Sequence, residues 1–355
     1  MKILIFGAGA IGRGFIPLHL SNNIEINFAD IDYSIINLLN KRKHYSTFEI
    51  KNGKYIKKKI FIKKAFHINE KINIRDYDCI FLSVGVNEAY KLASIIKNAK
   101  NIISCENDNK LPSRLKKITG NKNIYLGIPD VITSNTASER HLLDDQLSVV
   151  SEDGILVLEN NAPKISGNFY YYSKKKVNDH WICKMLVHNA PHAICSYLGF
   201  EKKVKYIHEA MQIKKISSIV NGAINEITNG LIKSKIINSK FANYYKKKEL
   251  KRFKNKLLFD PISRVSREPM RKLSNDDRLV LGLRAAMFGN VYPKNTVRGF
   301  ISALKYKNFN DQESVILNNL IKTKGLNFFL SSHCAINELD PLNEVIIKEF
   351  KKNEF

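Results

Sequence analysis

Two stretches decide the reading of this chain: "MKILIFGAGAIGRGF" (Met1–Phe15) and "IEINFAD" (Ile24–Asp30). Lys2 to Phe6 is apolar, rich in β-formers and without polar alternation, the pattern of a strand buried on both faces. Apolar positions at Phe15, Ile16, Leu18 and Leu20 predict a helix from about Arg13 to Leu20. The second stretch reads as a strand closing on Asp30. The glycines therefore sit at a strand-to-helix turn, with an acid about 18 residues after Gly12, the context that a dinucleotide-binding GxGxxG requires.

In that reading Gly7, Ala8, Gly9, Ala10, Ile11 and Gly12 form a phosphate cradle. Gly7 permits the tight turn, Gly9 lets backbone approach a pyrophosphate, and Gly12 lets the helix pack closely. The helix amino terminus adds free N–H groups and partial positive charge. Asp30 would accept hydrogen bonds from a ribose 2′-hydroxyl and repel a 2′-phosphate, so the expected cofactor is NAD. The alternative is a structural glycine turn with no cofactor.

Further buried runs fit the same sheet. "YDCIFLSVG" (Tyr77–Gly85) ends in Gly85, "KNIISCEN" (Lys100–Asn107) in Glu106 and Asn107, and "NIYLGIPDVIT" (Asn123–Thr133) carries Asp130. Cofactors lie at the carboxyl ends of such strands, which makes Gly85, Glu106, Asn107 and Asp130 candidates to face a cofactor. Each could instead be an ordinary turn residue.

At 355 residues the chain has room for two domains. A boundary at 178/179 is expected, with a cofactor domain before it and a mostly helical one after it. Hydrophobic residues at 44% exclude a disordered chain. The apolar runs are strand-length, so no membrane span is expected, and Lys2–Phe6 is too short for a signal peptide. Five scattered cysteines without a CxxC pair fit free thiols in a reducing cytoplasm. The net charge of +25 raises nucleic acid as a partner. Its source is mostly lysine in short runs, such as Lys57–Lys59 and Lys246–Lys248, which reads as solvated surface. No specific nucleic-acid partner is expected, and a monomer is the default.

From about His180 the pattern turns helical. In "DHWICKMLVHNAPHAICSYLGF" (Asp179–Phe200), Lys184, Asn189 and His192 are embedded among apolar residues. On a regular α-helix they fall at roughly 0°, 140° and 80°, within one arc. Pro191 would kink or end that helix. An ammonium among apolar neighbours is costly, so Lys184 is a candidate base; the alternative is a lysine whose amine reaches solvent. His188 and His192 have metal-pair spacing but no third ligand nearby, so no metal is expected. "SRVSREPMRKLSNDDR" (Ser263–Arg278) could clamp an anion through its arginines, but its spacing favours a surface helix laced with Glu268, Asp276 and Asp277.

Taken together, "FGAGAIGRGF", "FAD", "SCEN", the Lys184-x4-Asn189-x2-His192 constellation, "HAICSYLG", "RVSREPMRKLSNDDRL" and "YPKN" resemble the polyol-specific long-chain dehydrogenase/reductases, the mannitol dehydrogenase family. The resemblance touches nearly the whole chain. It implies a zinc-independent NAD enzyme with an amino-terminal Rossmann domain and a helical carboxyl-terminal domain. Lys184 matches the general base and Asn189 an amide that stabilises developing alkoxide, with Asn107 as its partner. His192 matches a residue that orients substrate, and Asp130, Arg264 and Lys272 match substrate-binding positions. The implied reaction interconverts D-mannitol 1-phosphate and D-fructose 6-phosphate. One departure stands out: the family's Val-Asp-Arg-Ile motif reads Pro129-Asp130-Val131-Ile132 here, which keeps a fructuronate- or tagaturonate-type uronate, or a free polyol, as the alternative substrate.

Overall fold

The structure is a computed structural model that describes residues 1–134 and 145–352. The chain divides into two compact units, Met1–Trp181 with Leu257–Phe259, and Ile182–Lys256 with Asp260–Phe355.

The first unit is built on an eight-stranded sheet and a four-stranded one. In chain order the strands are β1 (Lys2–Phe6), β2 (Glu25–Asp30), β3 (His44–Lys51), β4 (Lys54–Phe61), β5 (Lys64–His67) and β6 (Cys79–Leu82). They continue with β7 (Ile102–Ser104), β8 (Ile124–Asp130), β9 (Thr133–Ser134), β10 (Val149–Glu152), β11 (Ile155–Glu159) and β12 (Tyr170–Tyr172). The large sheet runs β12-β11-β8-β7-β6-β1-β2-β5. From β8 to β5 every pairing is parallel, and β11 turns antiparallel on β8. Six of these strands thus follow the doubly wound order 3-2-1-4-5-6, whose switch point lies between β1 and β6. The Rossmann reading of the sequence holds.

Burial on both faces explains the unbroken apolar run of β1. Ile3 and Ile5 enter the core on one side of the sheet, and Leu4 and Phe6 the core on the other. The helix expected from Arg13 to Leu20 is instead two short ones, Ala10–Gly14 and Ile16–His19, broken at Phe15. Pro17 has no N–H to continue the first helix, and it occupies the opening turn of the second.

The small sheet, ordered β4-β3-β10-β9, was not anticipated. A signal for it exists: Asn52-Gly53 joins β3 to β4 with φ of 50° and 72°, the left-handed pair that a two-residue hairpin needs. The exposed lysines of β4 mask its strand character. This sheet braces the first helix, because Ser151 Oγ donates to the Gly14 carbonyl at 2.7 Å and Tyr45 Oη to that of Arg13 at 2.8 Å.

The second unit is helical throughout its described length apart from loops. It opens on a π-helical stretch, Cys183–Asn189, that runs directly into the helix Ala190–Glu201. Around these pack Lys214–Lys233, Ser239–Phe253, Arg278–Phe288 and Lys294–Leu304. Beyond Phe300 follow the helices Gln312–Lys324, Leu326–Ser332 and Pro341–Lys352.

Candidate active site

In the first unit the glycine loop leaves the carboxyl end of β1 at the switch point. Gly7 has φ of 92°, and a Cβ there would lie 2.3 Å from the Ser83 carbonyl oxygen, so the turn admits glycine alone. At Gly12 a Cβ would meet the Gly7 carbonyl oxygen at 1.8 Å, which lets the first helix start directly over the turn. Gly9 is different: nothing lies within 4 Å of where its Cβ would point. That open side, above the amino-terminal N–H groups of the helix Ala10–Gly14, is where backbone can approach a phosphate. Asp30, at the end of β2, accepts from the Ala8 N–H at 2.5 Å and the Asp32 N–H at 2.9 Å. Its carboxylate therefore ties the glycine loop to β2.

Across the switch point, Gly85 takes φ of 98° at the end of the β6 loop, also with open space at its Cβ position. Glu106 is buried, and its two carboxylate oxygens accept from the Val84 N–H at 2.7 Å and the Gly85 N–H at 3.0 Å. It thus shapes the Gly85 loop from the end of β7. Asn107, its neighbour, is exposed. Asp130 is buried at the carboxyl end of β8, where it pairs in register with Ile155 of β11.

In the second unit, Lys184, Asn189 and His192 are all buried, Lys184 with 7% exposure. A lysine whose amine escapes to solvent does not fit that figure. The α-helical arc expected for these residues is replaced by π geometry. With i→i+5 bonding, the wider turn brings Lys184 and Asn189 closer to one face than the roughly 140° of a regular α-helix would. The wider turn also accommodates Pro191, which sits in the first turn of the helix Ala190–Glu201 without breaking the run. The Asn189 amide nitrogen lies 3.9 Å from the Met185 sulfur, a weak acceptor, so its donors hold no strong partner there.

His192 donates Nε2–H to Asp260 Oδ2 at 2.7 Å, and Arg264 donates to the other carboxylate oxygen. Burial pushes the Asp260 carboxyl up, but Arg264 and His192 outweigh it and hold it well below the usual carboxylate range. With Nε2 committed to Asp260, Nδ1 is the ring nitrogen left out of this bond. Arg264 keeps a buried Nε donor without a partner among the described residues.

The block Ser263–Arg278 is not a surface helix. It folds as two single turns, Ile262–Val265 and Pro269–Lys272, separated by Glu268 at φ of 60°. Pro269 explains the break, since the residue before a proline is biased out of the helical region. Lys272 is buried, donating Nζ to the Val265 carbonyl at 2.8 Å and to that of Arg267. Burial and the neighbouring arginines pull its amine well below the ordinary lysine value. Arg271 pairs with Glu268 and Asp277, and Arg278 with Asp277. Among the described residues no cluster of His, Cys, Asp or Glu could hold a metal.

Residues 1–124 match the mannitol dehydrogenase Rossmann domain, and residues 176–328 match the mannitol dehydrogenase C-terminal domain. A mannitol-1-phosphate 5-dehydrogenase of Buchnera aphidicola subsp. Schizaphis graminum is 34% identical, over 99% of this chain and 98% of its own. The chain belongs to the mannitol dehydrogenase family. As a member it is a dehydrogenase. A second relative, the mannitol-1-phosphate 5-dehydrogenase of Clostridium acetobutylicum, is 30% identical over 99% of both chains. Among solved structures, Pseudomonas fluorescens mannitol 2-dehydrogenase, in ternary complex with NAD and D-mannitol, superposes with a TM-score of 0.74. That match has 14% identity and covers 99% of this chain and 90% of the other, so it speaks to the fold.

Within this mannitol dehydrogenase fold, the partners of these candidate residues are not legible in the sequence around them. Asp260, Glu249 and Phe253 lie far along the chain from His192 and His188. Only helix packing brings them together. The one available hint was Glu249 standing alone among the cations of "KKKELKRFK" (Lys246–Lys254), an acid that invites the question of what it pairs with.

Proposed function

We propose that this chain is an NAD-dependent oxidoreductase that interconverts D-mannitol 1-phosphate and D-fructose 6-phosphate. The observation that carries this reading is near-full-length similarity, at 30–34% identity, to relatives named for that activity. The glycine cradle supports the cofactor assignment: its open face at Gly9, free helix N–H groups and the Asp30 carboxylate suit a dinucleotide whose adenosine ribose has a free 2′-hydroxyl. Gly7–Gly12, Asp30 and Gly85 would hold the dinucleotide, whose nicotinamide would supply a two-electron acceptor and donor.

The rest of the chemistry belongs to side chains. Lys184 takes the proton from the substrate hydroxyl at the carbon being oxidised, and returns it in the reverse direction. Asn189, joined by Asn107, donates amide hydrogen bonds to that oxygen as it gains negative charge. His192, its Nε2–H committed to Asp260, accepts from a neighbouring substrate hydroxyl through Nδ1. Arg264 offers its Nε donor to hydroxyl or phosphate, Asp130 accepts from the sugar, and Lys272 keeps the arginine-rich turns in place. We infer a cytoplasmic location, in keeping with five free, buried thiols.

The test is NADH consumption by purified protein offered fructose 6-phosphate, free fructose, fructuronate and tagaturonate, repeated with NADPH. Turnover specific to fructose 6-phosphate and NADH is expected. Preference for a uronate or a free ketose would transfer the assignment to a sister activity.

A further inference from the structure

The mechanism leaves unused a buried ionic cluster on the inner face of the helix Ser239–Phe253. Glu249 is fully buried, and a carboxylate in that position needs full compensation. It has it: Oε2 accepts from His188 Nδ1, Oε1 accepts from Arg252 Nη1 at 2.7 Å, and Lys248 Nζ stands 3.4 Å away. Burial pushes Glu249 up, but Arg252, His188 and Lys248 outweigh it and keep it ionised. Burial likewise pushes His188 down to about 4, so the neutral ring donates Nδ1–H and its tautomer is set.

His188 belongs to the π-turn that carries Lys184 and Asn189, so this hydrogen bond joins two elements. Four residues after Glu249, on the same helix face, comes Phe253. Its ring lies 5.2 Å from that of His192 at an interplanar angle of 8°, and 5.5 Å from that of His188. The two histidine rings are themselves 5.0 Å apart. His192 is thus held at one edge by Asp260 and across its face by Phe253. Apolar contact alone would let the helix slip by a fraction of a turn. A carboxylate accepting from both His188 and Arg252 has one register.

We propose that Glu249 is a positioning residue of the candidate active site: through His188 it pins the helix Ser239–Phe253 to the π-turn and keeps the Phe253 ring flat on His192. This rests on the role given to His192 above. The second carboxylate–histidine pair therefore serves the first by geometry, without touching substrate.

Glu249→Gln and Phe253→Leu test it, read by ring ¹⁵N spectra of histidine-labelled full-length protein and by steady-state kinetics. Wild-type protein should show His188 as the Nδ1–H form and His192 as the Nε2–H form. In either variant the His192 signals should shift toward mixed tautomers. Positional error in a site residue predicts that kcat falls by about ten-fold with the NADH dissociation constant unchanged. A folded variant with the wild-type His192 spectrum and unchanged kcat overturns the proposal. So does a loss of kcat matched by equal losses of NADH binding and thermal stability, which would make the cluster merely structural. Phe253→Leu leaves the buried charges intact and decides the matter where Glu249→Gln does not fold. Should wild-type protein turn over none of the candidate substrates, the functional reading fails, and the His192 spectrum still decides the positioning role.

Discussion

Lys184 reaches its place through a π-turn, and removing its amine alone tests its chemistry. Lys184→Met keeps the length and apolar stem of the side chain. A lost general base costs about 10²–10⁴-fold, so kcat should fall by at least two orders of magnitude. Titration of NADH fluorescence should show cofactor binding intact, because the cradle is built from Gly7–Gly12 and Asp30. A substantial residual rate would place the base elsewhere. At His188 the prediction concerns pH. Its folded value is pushed down to about 4 from an ordinary 6.5, so below about 6.5 the unfolded chain binds a proton that the folded one refuses. Stability contributed by the neutral ring is present above that value and is lost as pH falls toward about 4. The urea midpoint should therefore drop between pH 7 and pH 5, and drop less in His188→Gln. Equal drops would mean that the ring is already charged in the folded protein.

Among elements, the helix Lys294–Leu304 shows how a distant residue finishes a local structure. Pro293 at its amino cap gives no side-chain hydrogen bond. Glu226, from the helix Lys214–Lys233, serves instead: it accepts from the Asn295 N–H at 2.9 Å, the Thr296 N–H at 2.9 Å and both side chains. Its negative charge also suits the positive end of the helix. Glu226→Ala should cost about 2 kcal/mol, at the upper end for a lost cap because the bonds are charge-assisted, and should lower the melting temperature by several degrees. Calorimetry checks this, and a change under one degree would mean that water caps the helix equally well. The motif "YPKN" was legible as a signature, but its capping partner was not. Nothing in the residues around Asn295 points 69 positions back along the chain.

For the whole molecule, the charge of +25 has a consequence for rate. The outward stripe Lys240, Lys247, Lys251 and Lys254 follows one face of the helix whose inner side holds Glu249 and Phe253. Such a field attracts anions and is screened by salt within about 10 Å at 0.1 M. The kcat/KM for a sugar phosphate should fall several-fold as salt rises from about 20 to about 200 mM, while that for an uncharged ketose stays level. Equal salt dependence for both would remove any steering. Bound nucleic acid, if any, should be weak, salt-sensitive and blind to sequence. The chain order by itself determined the Rossmann sheet, the cradle and the Lys184-Asn189-His192 constellation, because period, glycine placement and short spacing are local properties written along one segment. Tertiary structure alone decided that Asp260 and Arg264 orient His192 and that Glu249 faces His188. Those contacts join residues separated by tens of positions, and burial, which no single segment specifies, sets the strength of every one.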